Sequence, residues 1–367
     1  MSIQKTLLKF HLPLGLAFGL LIGYLFPSPG IAYSKIIPTN NWIKTSNLNV
    51  IIIFFLSGLK LQTKQVLQAL SAWKAVLFGC FLILIVTPIV SFLLVNIPFE
   101  TPQLSYGLAI FFLGPTTITS GVILTGIAKG NIALGLMLTV ITNLLAILTM
   151  PLTLPLVFST VEGLKVEINA GQLLAKLLLY ILLPLLMGKC INYLFNSKVT
   201  IITKHFKIRL KLLSSFLLIL IPWMSVSNSA DKFETLSGLE ILAVFGIGIF
   251  LHFVFLIITY TTSLKCFNFS LANRKAVVIL GSQKTLPVAL SVISFLPLAL
   301  GSHGIISLPC IIAHFCQIVM DGVVAAKWAE YVDEDTNERG SEMIEEGLVD
   351  EEKTNGVLSE TVLLDEK

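Results

Sequence analysis

The segment Gly281–Pro287, GSQKTLP, limits the folds open to this chain more than any other stretch. It lies inside an otherwise apolar run from Ala276 to Leu300. A serine, a glutamine, a lysine and a threonine therefore fall in the middle of an expected membrane-spanning helix, and a proline follows them. Pro287 has no backbone N–H and its ring clashes with the preceding turn, so it is expected to bend or break the helix. A lysine at mid-bilayer costs a few kcal/mol on insertion scales and roughly 10 or more in simulations. Irregular backbone at that depth is tolerated only where it lines a cavity or is buried in protein. The segment also has a counterpart: Leu113–Leu124 reads LGPTTITSGVIL, against LGSQKTLPVAL for Leu280–Leu290. Both begin Leu-Gly, turn polar, carry a proline and return to apolar. Each falls in the fourth apolar segment of its half of the chain. Interrupted segments at corresponding positions of two halves point to a transporter binding site.

Composition agrees with a membrane protein. The chain is 55% hydrophobic and 13% charged, where soluble domains carry about 25% charged residues. A spanning helix needs about 20 largely apolar residues, and ten segments are expected: Leu12–Pro27, Trp42–Leu59, Ala75–Ile97, Tyr106–Ala128, Asn131–Phe158, Leu173–Phe195, Leu210–Val226, Leu236–Leu264, Lys275–Leu296 and Ile305–Ala326. The fourth is expected to break at Pro115–Ser120 and the ninth at Gln283–Pro287. With the N-terminus inside, the inner connections and ends hold 15 Lys and Arg residues and the outer loops 4 (Lys35, Lys44, Lys165 and Lys232). Cytoplasmic loops carry the excess of Lys and Arg. Both termini are therefore expected in the cytosol, and segments one to five are inverted in the membrane relative to six to ten.

The expected organisation is a first five-helix repeat over 1–158, an outer linker over 159–170, a second inverted repeat over 171–328 and an acidic tail over 329–367. From Glu330 onward there are 14 acidic and 3 basic residues. So charged and sparsely apolar a segment cannot bury enough surface to offset the entropy of ordering. It reads as a disordered cytosolic tail, either solubilising or docking a protein partner. The five cysteines, Cys80, Cys190, Cys266, Cys310 and Cys316, lie in or beside apolar runs without metal-ligand spacing. Neither a disulfide framework nor a metal site is expected from them. No small-residue cleavage site follows Leu12–Phe26, so no cleaved signal peptide is expected, nor a transit-peptide-like extension ahead of it. The Asn268–Ser270 sequon falls in a cytosolic loop and is expected to carry no glycan.

Two interrupted helices meeting at the midplane bring four half-helix ends together. Their N-terminal ends attract anions and their C-terminal ends offer free carbonyls to cations. The candidate binding residues are Pro115, Thr116, Thr117, Thr119 and Ser120 on the fourth segment and Ser282, Gln283, Lys284 and Thr285 on the ninth. The plainer reading of each hydroxyl is satisfaction of a broken-helix carbonyl. Thr139 and Asn143 on the fifth segment are further candidates, Asn143 for helix packing or cavity lining alike. His314 and Gln317 share a face of the tenth at i and i+3, for an interhelical hydrogen bond or for the cavity. His252 reads as a packing residue. No P-loop or HExxH is present, and the one aspartate within a span, Asp321, is expected near its cytosolic end. Neither an enzyme nor a nucleic-acid binder is expected. The expected partners are a small anionic substrate and the lipid bilayer, in a plasma or secretory-pathway membrane.

At GLKLQTKQVLQAL (Gly58–Leu70), LGPTTITSGVILTGIAKGN, RKAVVILGSQKTLPVALSV (Arg274–Val292) and LPCIIAHFCQ (Leu308–Gln317), the chain resembles the bile acid:sodium symporter superfamily. More narrowly it is similar to the divergent sodium/bile acid cotransporter 7-like branch, with fungal calcium-homeostasis and plant plastid members. The resemblance covers about residues 10–328. It implies a panel domain of segments one, two, six and seven, a core domain of the other six, and an elevator or rocking motion between them. It also implies an alternative role, a non-transporting regulator of calcium entry acting through a partner. The sodium ligands of better-known members are largely missing. Their ninth-helix glutamate corresponds to Ile279 and their asparagine to Lys284; their third-helix glutamine falls near Ile83 and their fourth-helix asparagine at Gly121. Gln283, Ser120 and Thr139 match, while a second fifth-helix hydroxyl position is Gly135. A secondary transporter of uncertain sodium coupling is the resulting expectation.

Overall fold

The computed structural model describes residues 3–37, 44–61, 69–234, 236–265 and 269–330. The acidic tail beyond 330, the sequon Asn268, Cys266, Trp42 and much of the Gly58–Leu70 motif lie outside the described residues. Among the described residues all regular structure is helical. The helices used below are α1 (Ile3–Leu25), α2 (Pro27–Ser34), α3 (Thr45–Lys60), α4 (Trp73–Leu94), α5 (Pro102–Leu113), α6 (Ser120–Ile127), α7 (Ile132–Phe158), α8 (Ala170–Leu194), α9 (Lys207–Ser227), α10 (Gly238–Lys265), α11 (Leu271–Ser282), α12 (Leu286–Phe295) and α13 (His303–Trp328). Among the described residues seven helical stretches are long and apolar enough to cross a membrane, and eight if the bent pair α1–α2 counts as one. In that count α11 and α12 form a single stretch, while α3 and α5 are shorter apolar helices. The protein is thus an all-helical polytopic membrane protein.

Local chemistry sets the helix ends. Asn131, Asn169 and Ser270 each accept a backbone N–H through the side chain at the start of α7, α8 and α11, satisfying one orphan donor of the first turn. Pro27 opens α2 after Phe26 leaves the helical region, and the chain turns by 100° there. The residue before a proline is pushed out of the α region, which accounts for the corner.

Two sets of helices pack within themselves. In the first, α1 lies on α9, and α3 lies on α8 and α9. Gly15, Gly19 and Gly23 form a stripe on α1 that meets Ile219 and Trp223 of α9. Where α3 meets α8, a Cβ on Gly58 would collide with the Leu185 carbonyl, and one on Gly188 with the Phe55 carbonyl. Small residues of this kind let membrane helix backbones approach. The second set gathers α4 to α7 with α10 to α13. Its centre is the α11–α12 stretch, where 94% of the apolar window is buried, against 28% for α10. Large apolar side chains such as Phe18, Leu93, Leu152, Phe250 and Phe253 are exposed around the outside, as a lipid-facing surface requires.

Candidate functional site

The two interrupted stretches stop for different local reasons. Helix α5 ends at Gly114, which takes extended geometry (ψ 160°) ahead of Pro115. The chain stays non-helical until Ser120 opens α6. Helix α11 ends at Ser282, and Gln283 (ψ 151°) and Thr285 (ψ 126°) are extended. Pro287 sits in the first turn of α12, where its missing N–H costs no hydrogen bond. The break therefore spans Gln283–Thr285, and Pro287 starts the second half-helix; the expectation that the break runs through Pro287 is corrected by that position.

The extended segments cross and share their backbone groups. The Thr285 N–H donates to the Pro115 carbonyl at 2.9 Å. The Thr116 hydroxyl donates to the Leu280 carbonyl at 2.6 Å. That carbonyl is free because the Lys284 N–H turns instead to Gln317 Oε1, at 2.9 Å. Gln317 Nε2 donates in return to the Lys284 carbonyl at 2.6 Å and lies 2.8 Å from His314 Nδ1. One amide from α13 thus holds both backbone groups of Lys284. Thr117 Oγ1 accepts the Gly121 N–H at 2.9 Å and donates to Gln283 Oε1 at 2.6 Å.

Lys284 is fully buried. Its Nζ donates to the Gly114 carbonyl at 2.8 Å and to the Ile83 carbonyl at 3.0 Å. The first is at the end of α5, past its last intrahelical N–H. The second is made available by Pro88. Ahead of that proline α4 widens into a π turn over Leu82–Val86, with Thr87 N–H bonding the Leu82 carbonyl. In that five-residue register the partner of the Ile83 carbonyl would be the N–H that Pro88 lacks. The Thr87 hydroxyl also donates to it, at 3.2 Å.

A carboxylate completes the network. Asp321 on α13 is fully buried, with Oδ1 2.9 Å from His252 Nε2 of α10 and Oδ2 accepting from Gln283 Nε2. His252 Nδ1 lies 3.3 Å from the Ser282 carbonyl. Asp321 lies seven residues before the end of α13, yet its carboxylate reaches the crossover, and the reading of His252 as a packing residue is corrected: both bond there. The clue lay in the spacing of His314, Gln317 and Asp321, at i, i+3 and i+7 on one helical face. Cations also hold the far end of α12. Lys44 and Lys176 Nζ donate to the Ser294 and Phe295 carbonyls, and His303 Nε2 lies 3.1 Å from the Leu296 carbonyl.

The remaining candidates divide. Thr139 Oγ1 donates to the Gly135 and Thr117 carbonyls. Asn143 Nδ2 donates to the Thr116 and Thr139 carbonyls, while its Oδ1 is buried without a partner. Thr285 Oγ1 is likewise buried without a partner. Ser282 turns its hydroxyl back onto Val278 and Ile279 of its own helix. Thr119 is exposed and Ser120 half-buried, and neither side chain joins the crossover network among the described residues. Ile279 and Ile83 are buried in an apolar cluster. A Cβ at Gly121 would lie 2.6 Å from Thr117 Oγ1 and 2.9 Å from Gln283 Oε1, so no asparagine fits there. The residues present do not fit the sodium ligand set that the resemblance implies. Among the described residues no cluster of His, Cys, Asp and Glu has metal-holding geometry, and Cys80, Cys190, Cys310 and Cys316 are free.

Residues 11–330 match the model of the SBF-like CPA transporter family. Among curated proteins the chain is 35% identical to the probable sodium/metabolite cotransporter BASS4, chloroplastic, of Arabidopsis thaliana, over 88% of this chain and 74% of that one. It is 28% identical to the solute carrier RCH1 of Candida albicans, over 76% of this chain and 80% of that one. It is 24% identical to sodium/bile acid cotransporter 7-A of Xenopus laevis, over 88% and 93% respectively.

Proposed function

Because the chain belongs to the SBF-like CPA transporter family, a family of transporters and not of enzymes, we propose that it is a secondary transporter whose substrate site is the crossing of α5–α6 with α11–α12. The observation that carries this reading is the direct backbone bond between the two breaks, Thr285 N–H to Pro115 carbonyl, beside a buried lysine. Unwound backbone at the meeting of two broken helices is where transporters hold substrate and coupling ions. Two half-helix N-termini, at Ser120 and Leu286, start from this crossing, and they favour negative charge. The substrate is a small organic anion or metabolite. The unpartnered Thr285 hydroxyl would donate a hydrogen bond to its anionic group, and the unpartnered Asn143 Oδ1 would accept one from a hydroxyl or amine on it, since buried polar atoms ordinarily find partners.

The proposed architecture is ten spans in two inverted five-helix repeats, with α1–α3, α8 and α9 forming a panel and α4–α7 with α10–α13 forming the moving core. Both termini are cytosolic in this reading. Cysteine labelling tests it: positions 198–211 should react from the cytosolic side and 161–169 from the other, and finding both on one side removes the inverted repeat. The membrane is left to localisation, since one relative is named as chloroplastic. The competing role, a regulator of calcium entry working through the acidic tail, predicts that deleting 331–367 abolishes the effect; the crossover favours transport. Uptake of labelled small organic anions into liposomes holding the purified protein tests the proposal directly. Accumulation above protein-free liposomes that Gln283→Ala abolishes is expected, and no uptake across a broad anion panel overturns it.

A further inference from the structure

Lys284 does more than tolerate burial. At the crossing two carbonyl oxygens are left without an intrahelical N–H, one by the end of α5 at Gly114 and one by the missing N–H of Pro88, the latter keeping only the Thr87 hydroxyl. The Lys284 ammonium binds both. The side chains around this seat are held in place by bonds within the crossover. Gln283 uses its Oε1 for Thr117 and its Nε2 for Asp321. Thr116 donates to Leu280, and Thr139 donates to Gly135 and Thr117. The space where a further amide would be needed is closed at Gly121. Asn143 Oδ1 and Thr285 Oγ1 remain, both neutral.

Charge points the same way. Among the described residues one carboxylate, Asp321, joins this network, and it faces His252 of α10 and Gln283. The titratable groups contributed by the packed helices are His252 from α10, His314 and Asp321 from α13, and Lys284 itself. Among the described residues Asp321 is thus the single acidic side chain at the crossing to set against the basic side chain of Lys284. A sodium ion would be an uncompensated extra cation in a low-dielectric site.

We propose that Lys284 is a tethered cation, closing by covalent attachment the seat formed by the Gly114 and Ile83 carbonyls, so that the protein binds no sodium at the crossing and works without it. The consequence for transport rests on the transporter reading above. The cation seat itself does not, and it is tested on stability with sodium, ammonium and choline chlorides as probes.

The purified full-length protein is melted in each salt at equal ionic strength. Wild type should melt at the same temperature in sodium as in choline. Lys284→Ala empties the seat and should melt several degrees lower in choline, recovering in ammonium or sodium because a ligand stabilises the state that binds it. Lys284→Met fills the space without charge and should stay low in all three salts. Stabilisation of wild type by sodium over choline overturns the proposal. So does a Lys284→Ala protein that fails to distinguish ammonium and sodium from choline, or a Lys284→Met protein that melts like wild type. If neither variant accumulates, the wild-type comparison decides. Sodium-free stability combined with absent uptake would leave the tethered cation standing and remove the transporter reading instead.

Discussion

Replacing Gln317 by leucine tests how the ninth stretch is held open at its break. The Gln317 amide bonds both backbone groups of Lys284, and all of these atoms belong to buried residues. Leucine approximates the volume of glutamine and offers neither donor nor acceptor. The variant therefore leaves the Lys284 N–H and carbonyl unpaired, each at about 1–3 kcal/mol, and removes the partner of His314 Nδ1, whose ring can turn to another. The expected loss is about 2–6 kcal/mol, with little added for a cavity because size is nearly kept. At about 2–4 °C per kcal/mol for a large domain, the melting temperature should fall by roughly 5–20 °C. Intrinsic tryptophan fluorescence of the purified protein during heating reads this out. Gln317→Asn, one methylene shorter, cannot span both groups and should lose about half as much. A fall of less than about 2 °C for Gln317→Leu would mean that the Lys284 backbone finds other partners, and the description of α13 as the clamp would be wrong.

Other substitutions probe the same network. Thr117→Val removes the bond to Gln283 and the acceptor for Gly121 N–H, and should cost about 1–3 kcal/mol in thermal melts. His252→Gln and Asp321→Asn should be non-additive, with a coupling of about 0.5–3 kcal/mol in a double-mutant cycle, because they share one hydrogen bond. Gly121→Ala forces a Cβ against Thr117 and Gln283 and should destabilise by about 1–3 kcal/mol while lowering uptake. Pro88→Ala restores an N–H that competes with Lys284 for the Ile83 carbonyl; uptake should fall with no loss of helical circular dichroism.

Much of this arrangement can be read from the chain because membrane burial penalises every exception. Lys284 and Pro115 stand out since apolar runs admit such residues only for a reason, and the breaks lie near them. The expected start of the fifth segment, Asn131, is the cap of α7, whereas α8 and α11 begin three and four residues ahead of the expected Leu173 and Lys275 because Asn169 and Ser270 cap polar first turns. Side-chain direction is harder to read. Ser282 and Thr116 look alike in sequence, yet one hydroxyl folds back on its own helix and the other crosses to α11. The bonding of Asp321 to the crossover escaped because a single acid near the end of an apolar run also suits an interface. The π turn before Pro88 escaped because a proline in a helix signals a missing donor, without saying which carbonyl is left over or what takes it.

The crossing also bears on how the protein is made. By the time residues 1–158 have left the ribosome, the Ile83, Gly114 and Pro115 carbonyls are all in place, but their partners lie in Lys284 and Thr285. The Thr116 hydroxyl waits for Leu280 in the same way. Lipid can satisfy none of these groups. The first half is therefore expected to hold these groups in water or against a helper until the α11–α12 stretch joins its helices. The stretch that completes them is also the most enclosed of the long apolar stretches among the described residues. Two halves expressed as separate chains should each be short-lived, and each should be rescued by the other.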